Sequence, residues 1–199
     1  AEKYGLAIIE DDVCGYLLDK TPQPIAAFAP ERTLFLTGLG KAIAPALRIG
    51  YLAAPEAYLP RVHTALAATV LLTSPLLAEI AASWIEEGTA AKVVEQKRAE
   101  TALRNRIARR ILGTAEIRSD PRSAHLWLEL PRRWSGDAFA EEARRRRVRI
   151  ASASSFAVGP EVPRAVRLSI GAPASAAELE SALHVIAGIE EERAEEPVV

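Results

Sequence analysis

Four consecutive apolar residues, Leu6 to Ile9, run directly into Glu10-Asp11-Asp12. A short apolar run ending in polar residues predicts a parallel strand, buried on both faces, that delivers polar groups at its C-terminal end. The carboxyl ends of such strands are where α/β proteins place ligands. Thr33–Thr37 (TLFLT) and Ile49–Ala53 (IGYLA) repeat the strand signal between Gly and Pro punctuation, with Gly38-Leu39-Gly40-Lys41 between them. A lysine is therefore expected just beyond a buried strand.

The next apolar stretch, Val62 to Ala78, is shorter than the roughly 20 residues of a membrane span and is broken by Thr73, Ser74 and Pro75, so a buried helix or a subunit contact is expected. Ser74 as N-cap and Pro75 at the first helical position open a helix whose Leu76, Leu77, Ile80, Ala81, Trp84 and Ile85 share one face. A charge-rich helix is expected from about Ala90 to Leu112. After Gly113 the pattern predicts strands at Glu116–Arg118, His125–Leu130, Val148–Ile150 and Val166–Ile170, and a helix over Asp137–Arg147. Ser175 and Glu178 form a capping box before a last helix with Leu179, Leu183 and Ile186 as its apolar stripe. Glu190 to Glu196 reads as a solvated, fraying tail. The fold class that follows is α/β: residues 1–72 form part of a large domain with a parallel-rich sheet, 73–113 are linking helices, and 114–199 form a small C-terminal α+β domain.

Composition narrows the function. The chain has 199 residues, 49% hydrophobic and 26% charged, which is the balance of a globular protein with a core. Lys and Arg number 25 against 26 Asp and Glu, so no global field is available to hold nucleic acid. The lone cysteine, Cys14, lies in an apolar, strand-like context and cannot form an internal disulfide, which suits a reducing cytoplasm. His63, His125 and His184 are far apart and do not make metal-ligand pairs. The opening AEKYGLAIIEDD has no basic and apolar leader pattern, so it reads as mature sequence and secretion is not expected.

Considered singly, the polar candidates are ordinary: Lys41 can be a loop residue, Arg48 a surface cation, and Asp11 and Asp12 caps of a following turn. Grouped, they say more. Asp11 at one strand end, Lys41 after a second strand and Arg48 before a third would share one sheet edge, and Arg167, from the strand Val166-Arg167-Leu168-Ser169, would face it from the smaller domain. One carboxylate, one amine and two guanidinium groups suit pyridoxal phosphate with an amino-acid substrate, each charge meeting a complementary group. The remaining residues read as structural: His125 as half-buried packing, Arg144 to Arg147 with Arg149 as cations at a helix C-terminus, and Trp84, Trp127 and Trp134 as core or subunit contacts.

The segments IIEDDVCGYL, TGLGKAIAPALRIGYLAAP, AHLWLELP and AVRLSIGAP, in this order, resemble fold-type-I pyridoxal-phosphate enzymes of the class I/II aminotransferase family. The stretch SPLLAEIAASWIEEGTA and the AHLWLELP strand are most similar to the aminotransferase-like domain of MocR-type regulators in the GntR superfamily. The likeness runs from about Tyr4 to Ile189, with Lys41, Pro45, Leu47, Arg48 and Gly50 as its most specific motif. It implies that Lys41 holds the cofactor as a Schiff base, that Arg48 grips its phosphate, that Asp11 binds the pyridine nitrogen, and that Arg167 holds the α-carboxylate of a substrate or effector. A desolvated Lys41 near Arg48 would have its charged form disfavoured, which frees the amine. Cys14 stands where family members commonly have a tyrosine on the cofactor phenolate oxygen. Gly38 and Gly40 stand where serines often donate to the phosphate, leaving backbone N–H groups as its cradle.

The resemblance further implies that half of the large domain and a winged-helix DNA-binding domain would precede these residues, so the chain is expected to be a C-terminal portion of a longer protein. The function implied is part of an effector domain of a MocR/GntR-type transcriptional regulator that binds an amino-acid-like molecule, homodimerises, and meets DNA only through the preceding domain, without a membrane. The alternative is a portion of a class I aminotransferase that moves amino groups between amino acids and 2-oxo acids, with Lys41 as its acid/base.

Overall fold

The computed structural model describes residues 1–18, 20–113 and 115–191. Residues 192–199, which hold most of the expected acidic tail, lie outside the described residues, as do Asp19 and Thr114. The chain forms two compact units, residues 1–98 and 99–199.

In the first unit, strand β1 (Ile8–Asp11) lies parallel to β2 (Thr33–Gly38), which continues into the one-turn helix α1 (Leu39–Ala42) and returns as β3 (Gly50–Ala53), antiparallel to β2. The sheet is therefore mixed, where a parallel-rich one was expected. The reason is the short return over 39–49, which has no room for the helical crossover that a parallel neighbour requires. β1 is also not buried on both faces: its residues alternate between half-buried and exposed, and Ile9 is 74% exposed, because among the described residues no second layer covers its outer face.

Helix α2 (Leu59–Thr69) has no buried residue, and Leu66, Val70, Leu71, Leu72 and Leu76 stay exposed across the turn into α3 (Pro75–Glu86). Of the two expectations for 62–78, burial within the chain is not met, because among the described residues no element lies over it. No helix among the described residues is long and apolar enough to cross a membrane. Pro75 opens α3 as expected, but the Ser74 side chain makes no capping hydrogen bond. Helix α3 buries Ala81, with Leu77, Ile80 and Trp84 beside it, against Ala42, Ile43, Leu47 and Ile49. Leu77, Ile80, Ala81 and Trp84 of the predicted stripe therefore back the loop between β2 and β3, while Leu76 and Ile85 stay exposed.

Helix α4 (Thr89–Leu112) serves both units: Ala90, Val93 and Val94 join the first core, and Ile107, Ala108 and Leu112 join the second. The stretch 73–113, expected as linking helices, is thus divided between the two cores.

The second unit is an antiparallel sheet in the order β4-β5-β7-β6, formed by β4 (Ile117–Arg118), β5 (His125–Glu129), β6 (Ala151–Ser152) and β7 (Ala165–Ser169), with helices α5 (Gly136–Arg145) and α6 (Ala176–Glu191). Leu126, Leu128, Val166 and Leu168 turn one face inward onto Phe139, Leu179, Leu183 and Ile186. His125 begins β5 and is exposed, not half-buried as expected, because the inward positions belong to Leu126 and Leu128. The strand expected at Val148–Ile150 forms three residues later: Arg147 takes a left-handed turn, φ 66°, and the Val148 amide bonds back to Ala143, so the chain extends only afterwards. The Ser175–Glu178 box forms as expected, and Ser135, which the sequence reading did not single out, caps α5 as well. Ser135 accepts from the Ala138 amide, Ser175 from that of Glu178, and the Glu178 carboxylate accepts from the Ala174 amide. Arg144, Arg145 and Arg146 pair with Glu141 and Glu142 along α5, which accounts for most of the basic cluster.

Two outcomes are expected. Phe139 is fully buried with the Trp134 ring edge-on at 5.5 Å, so Phe139→Ala should cost about 3–5 kcal/mol in chemical denaturation. The Asp137 carboxyl is held below the usual aspartate range first by the Ser154 hydroxyl and then by that of Ser152. A carboxylate depressed in the folded state contributes stability that is present above the ordinary value of 3.8 and lost as pH falls below it. The denaturation midpoint of Asp137→Asn should accordingly fall less than wild type over that acidic range.

Candidate functional site

The register of the first sheet gathers most of the expected residues. Asp11 ends β1 opposite Leu36, Gly38 ends β2 opposite Gly50, and Gly50 begins β3, so the two parallel strand ends and the start of the antiparallel one share an edge. Lys41 follows β2 within α1, and Arg48 precedes β3; the side chains of Asp11, Lys41 and Arg48 are all exposed there. The hydroxyl of Thr37 donates to the Asp12 carbonyl at 3.2 Å and ties the first two strand ends together. The Leu39 amide donates to the Ile49 carbonyl at 3.1 Å and closes the loop that carries both Lys41 and Arg48.

Local sequence shapes that loop. Pro45 starts a short 3-10 turn, Pro45–Leu47, after which Leu47 and Ile49 are both buried and Arg48 between them points its residue to the surface. Arg48 has φ 52°, a left-handed conformation that costs a residue with a Cβ about 1–3 kcal/mol and is concentrated at functional sites. At Gly38 the backbone passes so close that an added Cβ would lie 3.1 Å from the Ile49 carbonyl oxygen. At Gly40 the nearest atom would be the Pro45 Cα at 3.9 Å, which is ordinary contact. Lys41 is exposed in this chain, so the desolvation expected to free its amine is not supplied by these residues.

The loop after β1 differs from the strand-like context expected for Cys14. Asp11 accepts from the Val13 amide at 3.3 Å, the chain turns, and Cys14 is an exposed free thiol ahead of the 3-10 turn Gly15–Leu17. Tyr16 follows with a buried hydroxyl that has no hydrogen-bond partner among the described residues; burial first, then Cys14 and Asp12, pushes its pKa well above the usual phenol value.

Three residues of this edge were missed by sequence reasoning. The Glu10 carboxylate accepts from the amides of Ile25 at 2.8 Å and Ala26 at 2.9 Å, fixing the turn Ile25–Ala27 beside β2. Lys97 Nζ donates to the carbonyls of Lys41 at 3.1 Å and Ile43 at 2.9 Å, and burial lowers its pKa. Arg98 donates to the carbonyls of Tyr16 and Leu18. No local pattern could have found the last two, since their partners lie 54 to 82 residues away.

Arg167 belongs to the second unit. Its guanidinium lies 4.8 Å from the centre of the Phe156 ring, which meets Trp127 edge-on at 6.0 Å, and Trp127 is its register partner across β5 and β7. The Arg167 Nε is buried without a hydrogen-bond partner. A cavity of about 440 Å³ also opens in this unit, lined by Leu168, Ile170, Leu183 and Ile186 with Arg147 and Arg149. It contains none of the expected site residues.

Residues 1–186 match the model of the aminotransferase class I and II family, and the chain belongs to that family. The HTH-type transcriptional regulator YdeF of Bacillus subtilis is 36% identical over 187 residues, covering 93% of this chain and 40% of the regulator. The HTH-type transcriptional regulator YjiR of Escherichia coli is 25% identical over 183 residues, covering 88% of this chain and 39% of that protein. The fold is that of solved aminotransferases. LysN, an α-aminoadipate aminotransferase from Thermus thermophilus complexed with N-(5'-phosphopyridoxyl)-L-leucine, superposes with a TM-score of 0.82 at 18% identity, over 94% of this chain and 51% of that one. Kynurenine aminotransferase from Pyrococcus horikoshii does so at 0.84 and 19%, over 95% and 48%. The chain thus spans about 40% of the length of these regulators and about half of these enzymes.

The two glycines of the loop are expected to respond differently to a methyl group. Gly38→Ala should lose about 1–3 kcal/mol of stability through its contact with the Ile49 carbonyl, while Gly40→Ala should stay within about 0.5 kcal/mol of wild type, both read by urea denaturation.

Proposed function

We propose that this chain forms the C-terminal part of a pyridoxal-phosphate-binding, aminotransferase-like effector domain of a MocR/GntR-type transcriptional regulator. The observation that carries the cofactor reading is the shared edge of Asp11, Lys41 and Arg48. The donor set fits the group: a primary amine for its aldehyde, a guanidinium for its phosphate, and a carboxylate for its pyridine nitrogen. Bound there, the cofactor would supply an aldehyde conjugated to an electron-accepting ring. Lys41 would provide the amine that bonds it, Arg48 would hold the phosphate from a backbone pinned by Leu47 and Ile49, and Asp11 would keep the ring nitrogen protonated. The Gly38 and Gly40 amides would line the phosphate side, and the Cys14 thiol would take the place of a phenol. Arg167, with its buried unpartnered Nε, would take the α-carboxylate of an amino-acid-like effector.

The regulator reading is supported by the identity to HTH-type regulators along most of the chain. In it, DNA is met by a separate N-terminal domain, and the full-length protein is a cytoplasmic homodimer. The exposed Val70, Leu71, Leu72 and Leu76 supply apolar surface for association. Sedimentation should accordingly show a mass that rises with concentration; a concentration-independent monomer would contradict that surface.

The cofactor reading is tested by titrating the chain with pyridoxal phosphate. An absorbance band near about 420 nm is expected in wild type and not in Lys41→Ala. A folded wild-type chain without a Lys41-dependent band would overturn it. With the band present, rapid amino-donor turnover would favour the aminotransferase alternative. The regulator reading expects slow or no turnover that Cys14→Tyr increases.

A further inference from the structure

The helix that carries Lys41 is too short to keep its own shape. α1 spans Leu39–Ala42, and a single hydrogen-bonded turn is an unfavourable nucleus in isolation. The carbonyls at its C-terminal end have no N–H donors within the helix and need outside ones. One side chain supplies them: the Lys97 ammonium bonds the carbonyls of Lys41 and Ile43, at 3.1 and 2.9 Å. Among the described residues these two carbonyls are its only hydrogen-bond partners. A partly buried ammonium held by main-chain carbonyls, with no carboxylate, is an unusual use of a lysine on a charge-rich helix, where water is the ordinary partner.

The adjacent residue does the same for the other loop. Arg98 Nε donates to the Tyr16 carbonyl at 3.0 Å, and its Nη2 bonds the carbonyls of Tyr16 and Leu18. Those carbonyls lie in and just after the turn Gly15–Leu17, immediately downstream of Asp11 and Cys14. The platform for both arms is fixed, since Ala90, Val93 and Val94 of α4 are packed into the core behind residues 42–49.

We propose that Lys97 is the positioning residue for Lys41, and that Arg98 positions the loop that follows Asp11 and carries Cys14, so that two neighbouring residues of one helix hold the two loops that flank the strand ends. The inference rests on the reading of Lys41 as the cofactor lysine, and its test separates the two. Both residues bond main-chain carbonyls of the loops they hold.

The first arm needs no cofactor. Amide hydrogen exchange is followed in wild type, Lys97→Met, Arg98→Met and the surface control Lys92→Met. Exchange over residues 39–47 is expected to quicken about tenfold or more in Lys97→Met, and over 13–18 in Arg98→Met, with Lys92→Met unchanged. The second arm is titration with pyridoxal phosphate. Lys97→Met should weaken binding about tenfold and shift the pH midpoint of the visible band, while Lys97→Gln, which keeps an N–H donor, recovers part of both. Unchanged exchange over 39–47 in Lys97→Met would overturn the clamp. Faster exchange with unchanged cofactor affinity and pH midpoint would overturn its positioning role. If wild type shows no Lys41-dependent band, the cofactor reading fails and the exchange arm alone decides the clamp. Should Lys97→Met not fold, Lys97→Ala carries both arms, and its wild-type behaviour in either would overturn the proposal.

Discussion

The edge that gathers Asp11, Lys41 and Arg48 depends on one constraint, the burial of Leu47 and Ile49 on either side of an exposed arginine. Those two side chains pin the return from β2 to β3 against α3 and the start of α4, and the Leu39–Ile49 backbone bond closes it. Everything polar in the loop is placed as a consequence. The loop's regular structure is two single turns, Leu39–Ala42 and Pro45–Leu47, so its shape comes from packing and from donors that other elements lend it.

The organisation of the polar groups follows a division of labour. Apolar contacts set the depth of the loop, and its Lys41 and Ile43 carbonyls are tied to Lys97, as the Tyr16 and Leu18 carbonyls of the loop after β1 are tied to Arg98. Glu10 plays the complementary part on the other side of β1, where its carboxylate accepts two amides of the 25–27 turn. Adjacent acidic residues thus have different tasks: Glu10 bonds backbone and Asp11 is left exposed at the strand end. The second unit is built differently. Its core is a plain one-faced sheet under α5, α6 and the C-terminal part of α4, and its unusual polar feature is Arg167, stacked on Phe156 with an Nε that has no partner among the described residues.

Much of this was legible in the sequence because the signals are local. Strand-forming runs, Pro75, the Ser175–Glu178 box and the alternation in β5 and β7 are read from neighbours within a few residues, and each appears where expected to within a few positions. The motif around Lys41 and Arg48 was legible for the same reason. What failed was environment. Ile9 and the 62–78 stretch looked buried because their composition is apolar, yet burial depends on what else covers them, and among the described residues nothing does. The antiparallel turn of β3 was hidden because a strand's direction is decided by the length of its connection. Lys97 and Arg98 were indistinguishable from the other charges of α4, since only the fold brings their carbonyl partners within reach.

The left-handed backbone of Arg48 sets stability and charge against each other at one position. Glycine there would relieve the backbone strain and give a more comfortable chain, at the loss of the only group in the loop able to grip an anion with a planar fork. Lysine would keep a positive charge and the strain together while giving up that fork. Selection for folding alone would therefore drift this position toward glycine, and a strained arginine is what persists where the loop has been kept for something other than its own stability.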